Sequence, residues 1–345
     1  MERRTFIKAG VMAGTGLMTA RLAFGASQEP VKKGLRVGIL GLDTSHAIAF
    51  TQALNKEDAS PEFGGYKIVA VYPPGSKNIP SSYERLPGYI EEVKKYGVEI
   101  VDTIPALLEK VDVVLLQSND GHPHLEQAIP VFKAGKRVFI DKPIAGSLPD
   151  AYTIFQAAKQ YGTPVFSASS LRYQPNMEDV IKNQVLGRVF CVEGYTPCTI
   201  EPSHPDLFWY GVHGIDPIFA ILGTGCQTVT RVHTPDVDVV TGVWEGNRVG
   251  IFRGMRLDGK GYGDYGGKAF GEKGAKELGG YKGYDSLLIE IIKFFQTGIP
   301  PVTPEETLEM FAFMEAADES KRRGGVPVSV AETQQKALAQ MKKAY

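Results

Sequence analysis

Val37-Gly38-Ile39-Leu40-Gly41-Leu42-Asp43-Thr44-Ser45-His46 is an apolar run that ends in a glycine-marked turn and leads into an amphipathic segment, Ala47 to Leu54. A strand, a tight turn and a helix in this order open an α/β sheet whose turn and helix N-terminus receive a dinucleotide's phosphates. The accompanying pattern, G-x-G-x-x-G, falls on Gly41, Asp43 and His46, and only Gly41 meets it. A carboxylate therefore stands where backbone should approach a pyrophosphate, and an imidazole replaces a close-packing glycine. Gly38, Gly41, Asp43, Thr44, Ser45 and His46 are the candidate cofactor-binding residues of this stretch.

Working outward, Tyr66–Tyr72, Val111–Leu116 and Arg137–Ile140 read as further strands. The second of these is almost unbroken in its apolar character, as a parallel strand covered on both faces requires. Helices are expected over Pro87–Tyr96, Ile104–Glu109, Leu125–Ala134 and Pro149–Tyr161. This βαβ rhythm predicts a Rossmann-like, doubly wound parallel sheet over residues 34–145. After a strand at Pro164–Ala168 come longer ones, Arg188–Tyr195, Thr228–His233, Asp238–Val243 and Arg248–Met255, the last two joined at Glu245-Gly246-Asn247. They predict an α+β domain over 146–330, built on a mainly antiparallel open sheet. Gly259–Gly283 reads as a long loop with room for one strand. Helices Ser286–Gln296 and Glu305–Arg322 close the domain, the second placed to pack back on the first domain, and residues 331–345 form a terminal helix.

The chain has 345 residues, 43% of them hydrophobic and 22% charged, which suits two globular domains and excludes disorder and coiled coil. With 38 basic against 39 acidic residues and no basic patch, nucleic acid is excluded as a partner. Arg3-Arg4-Thr5-Phe6-Ile7-Lys8, a mildly apolar stretch, Arg21 and the small residues from Ala23 to Ala26 form a twin-arginine signal peptide over residues 1–26. It predicts that the twin-arginine export machinery carries a folded, cofactor-loaded protein to the periplasm or another extracytoplasmic space. The product is expected to be soluble, because no later stretch approaches the roughly 20 apolar residues of a membrane span. Cys191, Cys198 and Cys226 lack paired metal-ligand spacing and read as buried free thiols, with a disulfide between two of them as the alternative.

Two more motifs stand in register with the first. Ala134-Gly135-Lys136-Arg137-Val138-Phe139-Ile140-Asp141-Lys142-Pro143 resembles the A-G-K-x-V-x-x-E-K-P element of the glucose–fructose oxidoreductase, inositol dehydrogenase and rhizopine-catabolism family (Gfo/Idh/MocA). Gly211-Val212-His213-Gly214-Ile215-Asp216 resembles its G-x-H-x-x-D. Leu171-Arg172-Tyr173-Gln174-Pro175 is similar to its N-x-R-x-x-P, and Glu315 through Val328 to its closing helix and strand. The resemblance runs over residues 35–330. It implies a Rossmann domain, an α/β domain whose open sheet makes homo-oligomers, and a site in the cleft between them. The activity it implies is oxidation or reduction of a carbohydrate or polyol with NAD or NADP.

On that resemblance, Lys142 follows a strand end and can hold negative charge on a reacting oxygen. His213 is the general base or acid, because imidazole titrates near neutral pH. Asp216, three residues on, would share a helix face with it and orient it. Relatives often carry an aspartate four residues before this histidine; here the position is Trp209, so Trp209, Tyr210 and His124 are the candidate substrate contacts. Ser118, Asn119, Asp141 and Arg172 join the cofactor-binding set. Tyr72-Pro73-Pro74-Gly75-Ser76 offers no acid for a ribose, whereas Ser76 and Lys77 could accept a 2′-phosphate.

Two alternatives follow from the altered loops. Asp43, His46, His122 and His124 come from loops at one sheet edge, with Asp120 beside them, and could bind a divalent metal for lyase, isomerase or hydrolase chemistry. Alternatively, Asp43 abolishes nucleotide binding and the chain is a non-catalytic carbohydrate-binding relative.

Overall fold

A computed structural model describes residues 32–341, so the twin-arginine stretch lies outside the described residues. The chain begins with β1 (Arg36–Leu40), α1 (Ser45–Asn55), β2 (Lys67–Tyr72), α2 (Pro80–Lys94), β3 (Glu99–Ile100) and α3 (Ile104–Lys110). It continues with β4 (Val113–Leu116), α4 (His124–Lys133), β5 (Val138–Ile140), α5 (Leu148–Tyr161) and β6 (Val165–Phe166). These six strands form one sheet in the order β3-β2-β1-β4-β5-β6, every neighbouring pair parallel. The order reverses between β1 and β4, so the carboxyl ends of those two strands border the crevice where such sheets bind ligands.

The α2 helix starts at Pro80 rather than at the expected Pro87, because Pro80 occupies the first helical turn, where no N–H is needed. The boundary expected at residue 145 also falls inside this unit, since β6 is the edge strand of the first sheet.

The remaining elements are α6 (Met177–Ile181), β7 (Val189–Pro197), α7 (Asp206–Trp209), α8 (Val212–Leu222), β8 (Cys226–His233), β9 (Val237–Trp244) and β10 (Arg248–Leu257). They are followed by β11 (Lys260–Gly261), β12 (Gly266–Gly271), β13 (Gly274–Leu278), α9 (Asp285–Thr297), α10 (Pro304–Arg322), β14 (Val328–Ser329) and α11 (Val330–Ala339). The second sheet runs β13-β12-β7-β10-β9-β8-β14, with β11 paired to β10. It is mainly antiparallel, with one parallel pair, β7 with β10. The stretch read as a loop over 259–283 therefore contains three strands. Its alternation is hard to see because glycine takes inward positions such as Gly267, where a Cβ would lie 2.2 Å from the Glu193 carbonyl oxygen.

Helices α1 and α9 cover one face of the first sheet, burying Phe50, Leu288, Ile291 and Phe294 against Val37, Ile39 and Leu115. Helix α9, expected to close the second domain, thus completes the core of the first. On the opposite face, α3, α4 and α5 pack with Leu40, Val114 and Ile140 in a core continuous with α8 and α10. Helix α10 lies between β8 and α5 and so joins the two sheets. Fully burying one leucine- or phenylalanine-sized side chain contributes roughly 1.5–3 kcal/mol, so this shared core holds the cleft walls in register.

Candidate active site

Helix α1 begins at the carboxyl edge of β1, and Thr44 caps it by accepting the Ala47 N–H at 3.2 Å. Gly41 precedes it with φ +79°, and a Cβ there would lie 2.5 Å from the Ser118 nitrogen. Only glycine lets the β1 and β4 loops come this close. Gly38 serves packing instead, since a Cβ there would meet the side chains of Val111 and Leu107.

Asp43 fills the space that the missing glycine would leave. Its Oδ1 accepts the Asn119 N–H at 2.9 Å and its Oδ2 the Ser76 N–H at 3.1 Å. Burial raises its pKa, and these two N–H groups oppose the rise. The carboxylate thus ties the loops after β1, β2 and β4 together and does not line the cleft.

The next residue of interest faces the cleft. His46 sits in the first turn of α1, with its ring 4.4 Å from that of Tyr284. Its Nδ1 lies 2.7 Å from Oδ2 of Asp141, a close contact off the angle of a well-aligned hydrogen bond. Asp141 directly follows β5 with no exposed surface, and its Oδ1 accepts the Lys142 N–H at 2.8 Å. Desolvation would raise the Asp141 pKa, but the His46 and Lys142 charges outweigh it and hold the group below the usual carboxylate value. The peptide between Lys142 and Pro143 is cis.

Helix α8 delivers His213 from the other side. Its Nδ1 is 2.8 Å from Ser169 Oγ. With Nδ1–H donated to Ser169, Nε2 presents a lone pair to the cleft. Burial first, then the nearby Lys142 and His46 charges, holds its pKa well below 6.5, so the ring is neutral. Asp216 does not contact His213, contrary to the expectation from their spacing. It accepts the Ser169 N–H at 2.6 Å and Arg172 Nε at 2.7 Å, so it acts on His213 only through Ser169.

His46, Lys142 and His213 line one cleft of about 340 Å³ at the carboxyl edge of the first sheet. Thr44, Ser45, Asn119, Trp209 and Tyr210 line it as well. The sequence reading missed Arg85, Tyr265, Tyr281 and Tyr284, which also line it, together with Ser81, Ser170, Leu171 and Thr199. Tyr265 donates to or accepts from Tyr210 across 3.1 Å, and Tyr284 reaches Ser45 at 3.3 Å. The density of tyrosine in an otherwise Gly-rich stretch was the available signal for three of them.

Three expected contacts lie elsewhere. Arg172 is buried in ion pairs with Asp216 and Glu306, so it braces the domain rather than meeting a ligand. His124 is fully buried between the Ser118 and Ile144 carbonyl oxygens, at 2.8 and 3.1 Å, and is absent from the cleft walls. Ser118 is turned inward onto Gln127. The four-residue metal set also does not assemble: Asp43, His46 and His124 each have the separate partners just described, and His122 contacts Asp120.

Thr44, Ser45, Arg85 and Asn119, grouped at the N-terminus of α1, are the cleft residues that would hold the phosphate and nicotinamide end of a dinucleotide. Residue 43 gives no glycine-type close approach.

Residues 35–169 match the model of an oxidoreductase family with an NAD-binding Rossmann fold, Gfo/Idh/MocA. Inositol 2-dehydrogenase 2 of Saccharopolyspora erythraea is 29% identical over 136 residues, covering 36% of this chain and 39% of that protein. Among solved structures, an Agrobacterium radiobacter oxidoreductase in complex with NAD+, L-tartaric acid and magnesium superposes with a TM-score of 0.68 at 16% identity, covering 87% of this chain and 99% of that one. The Bordetella pertussis WlbA dehydrogenase in complex with NADH and UDP-GlcNAcA gives 0.65 at 18%, covering 86% and 98%. The family match covers residues 35–169, this chain spans 39% of the length of the inositol dehydrogenase it matches, and the solved structures share its fold, a parallel Rossmann-like sheet at the N-terminal side. A second α/β domain follows it, and the cleft lies between the two sheets.

Proposed function

We propose that this chain is a nicotinamide-dependent oxidoreductase acting on a carbohydrate or polyol in the cleft shared by the two sheets. The observation that carries this reading is the meeting of Lys142, His213 and the His46–Asp141 pair on one cleft wall system at the carboxyl edge of the Rossmann sheet. The nicotinamide, when bound, supplies hydride acceptance or donation. Neutral His213 takes the proton of the reacting hydroxyl on Nε2, and Ser169 holds the ring while it does so. The Lys142 ammonium stabilises the developing oxyanion. His46, aligned by a buried carboxylate, provides a second imidazole to orient the substrate or relay the proton. Trp209 and the tyrosines offer flat apolar faces with hydroxyl rims, which suit a sugar ring. We assign NAD or NADP equally, and we extend the proposal to export by the twin-arginine route and to homo-oligomers made through the second sheet.

The test is to denature the purified protein and assay the supernatant for NAD(H) and NADP(H), then to titrate both nucleotides onto the native protein. Release of stoichiometric nucleotide, or saturable binding, supports the reading. No nucleotide and no binding would reject it. The filled turn at Asp43 favours a second reading, a sugar-binding relative without nucleotide. That reading expects glycan affinity without turnover and little effect of Lys142→Ala on binding.

A further inference from the structure

We propose that Asp120, His122 and His204 form a binding site for a divalent transition-metal ion, joining the loop after β4 to the segment before α7. Asp120 Oδ1 lies 2.8 Å from His122 Nδ1 and 3.3 Å from His204 Nε2. The ligating atoms of the three residues all lie within 4.8 Å of one another. Metal–ligand bonds of about 2.0–2.1 Å at angles between octahedral and tetrahedral place neighbouring ligand atoms about 2.9–3.3 Å apart. The 3.3 Å separation is therefore already that of a coordination sphere, and the 2.8 Å one needs to open by only about 0.1 Å.

The proton count around His204 points to a cation. Ser203 Oγ donates its only proton to Glu201 Oε1 at 3.1 Å, so it accepts from His204 Nδ1–H at 3.0 Å. That tautomer leaves a lone pair on Nε2, and the Gly121 N–H at 3.3 Å donates to it. The same lone pair faces the Asp120 carboxylate across 3.3 Å, in a ring whose side chain is 0% exposed. Two electron-rich atoms confront each other with bulk water excluded, and a positive charge between them removes the conflict. The Glu201–Ser203–His204 chain then orients a metal-ligating imidazole through its second nitrogen, and the Ser76 hydroxyl holds the other oxygen of Asp120 at 2.8 Å. Binding through His122 Nδ1 displaces the proton that now lies toward Asp120, so metal uptake releases a proton.

Two imidazoles and one carboxylate are borderline donors, which select zinc and its neighbours over magnesium or calcium. The His122 side chain is 46% exposed, which gives the ion a path from solvent and an open position. The site adjoins the cleft wall, because the His204 ring packs against Trp209 at 5.1 Å. It does not depend on the oxidoreductase reading.

The full chain, stripped with a chelator, is titrated with Zn²⁺ against a chromophoric competitor and separately with Co²⁺ for its visible absorption. One zinc per chain is expected, with affinity reduced at least tenfold in Asp120→Asn and His204→Gln and unchanged in His233→Gln. Because His204 is buried, His122→Gln on the exposed side serves as the variant that keeps the fold. Zinc should raise the melting temperature of the unsubstituted protein and not that of His122→Gln. Absence of binding, or equal binding in the three cluster variants, overturns the proposal. So does a melting temperature of the unsubstituted protein that zinc leaves unchanged.

Discussion

His46 Nδ1 stands 2.7 Å from Oδ2 of Asp141, and neither atom has another hydrogen-bond partner among the described residues. A wholly buried carboxylate thus faces an imidazole that occupies the third position of a degenerate glycine motif. The charge of Asp141 holds one edge of the ring and leaves the other to the cleft, beside Lys142 and His213. Asp141→Asn preserves shape and removes that charge. It is expected to lower kcat/KM by about a hundredfold, the scale of a positioned proton-transfer group, with a much smaller change in melting temperature. His46→Gln should fall in the same range, and the double variant should lose little more than either single one. Additive losses would show that the two residues act separately.

The neutral state of His213 has a consequence for stability. Its pKa in the folded protein is depressed well below 6.5 by burial and by Lys142 and His46. The unfolded chain therefore binds more protons as pH falls below 6.5, and stability drops. The contribution is complete above that pH and is lost on acidification, with a limiting slope of about 1.4 kcal/mol per pH unit. Urea unfolding between pH 5 and pH 7.5 should show this acid slope, and His213→Gln should flatten it. Equal slopes in both proteins would place the titration elsewhere, with buried His124, also depressed by burial, as the next group to replace.

Arg231 is fully buried and faces three carboxylates, Asp206, Asp238 and Asp318. Burial, with added repulsion from Asp206 and Glu315, pushes Asp318 up to about 7 despite that contact. Removing the arginine leaves the buried Asp318 carboxylate without its cation, while Asp206 keeps Lys321 and Asp238 keeps Arg256. Arg231→Met is expected to destabilise the fold by about 3–5 kcal/mol, measured by denaturant unfolding at pH 7.5. The loss should shrink toward pH 5.5, where Asp318 is protonated. A pH-independent loss would show that packing, not charge, carries the effect.

The first sheet was legible because its strands are continuous apolar runs with glycine-marked ends, and the periodicity of α1, α4 and α5 separates them. The placement of α9 was not, since Leu288, Ile291 and Phe294 make an apolar helix face that fits either sheet equally well in sequence. Lys142 and His213 were readable from motifs, whereas Ser169 and Tyr284 enter the site through contacts with no sequence spacing behind them. Asp216 shows the limit of helical spacing: position i+3 put it near His213, but Arg172 and the Ser169 N–H are stronger partners for a carboxylate than a neutral imidazole. His204 lies more than eighty residues from Asp120 in a segment without periodicity, so only the fold brings the pair together.

Asp43 offers the sharpest test of what became of the nucleotide turn. A Cβ on Gly75 would lie 2.1 Å from Asp43 Oδ2 and 2.2 Å from its Cγ, so the aspartate requires glycine at position 75. The short side chain cannot swing aside without releasing the N–H groups of Ser76 and Asn119. Gly75→Ala should therefore destabilise the protein strongly. Asp43→Gly alone should cost about 1–3 kcal/mol by leaving buried donors unpaired. In the double variant the clash disappears, so the two losses should be clearly less than additive, and a double-mutant cycle reads the difference directly. Asp43→Gly should also tighten NAD(H) or NADP(H) binding in a calorimetric titration, because it removes a carboxylate from the phosphate turn. Additive stability losses would place Gly75 outside Asp43's reach. Weaker nucleotide binding by Asp43→Gly would mean that the carboxylate holds the loops in the shape the nucleotide needs.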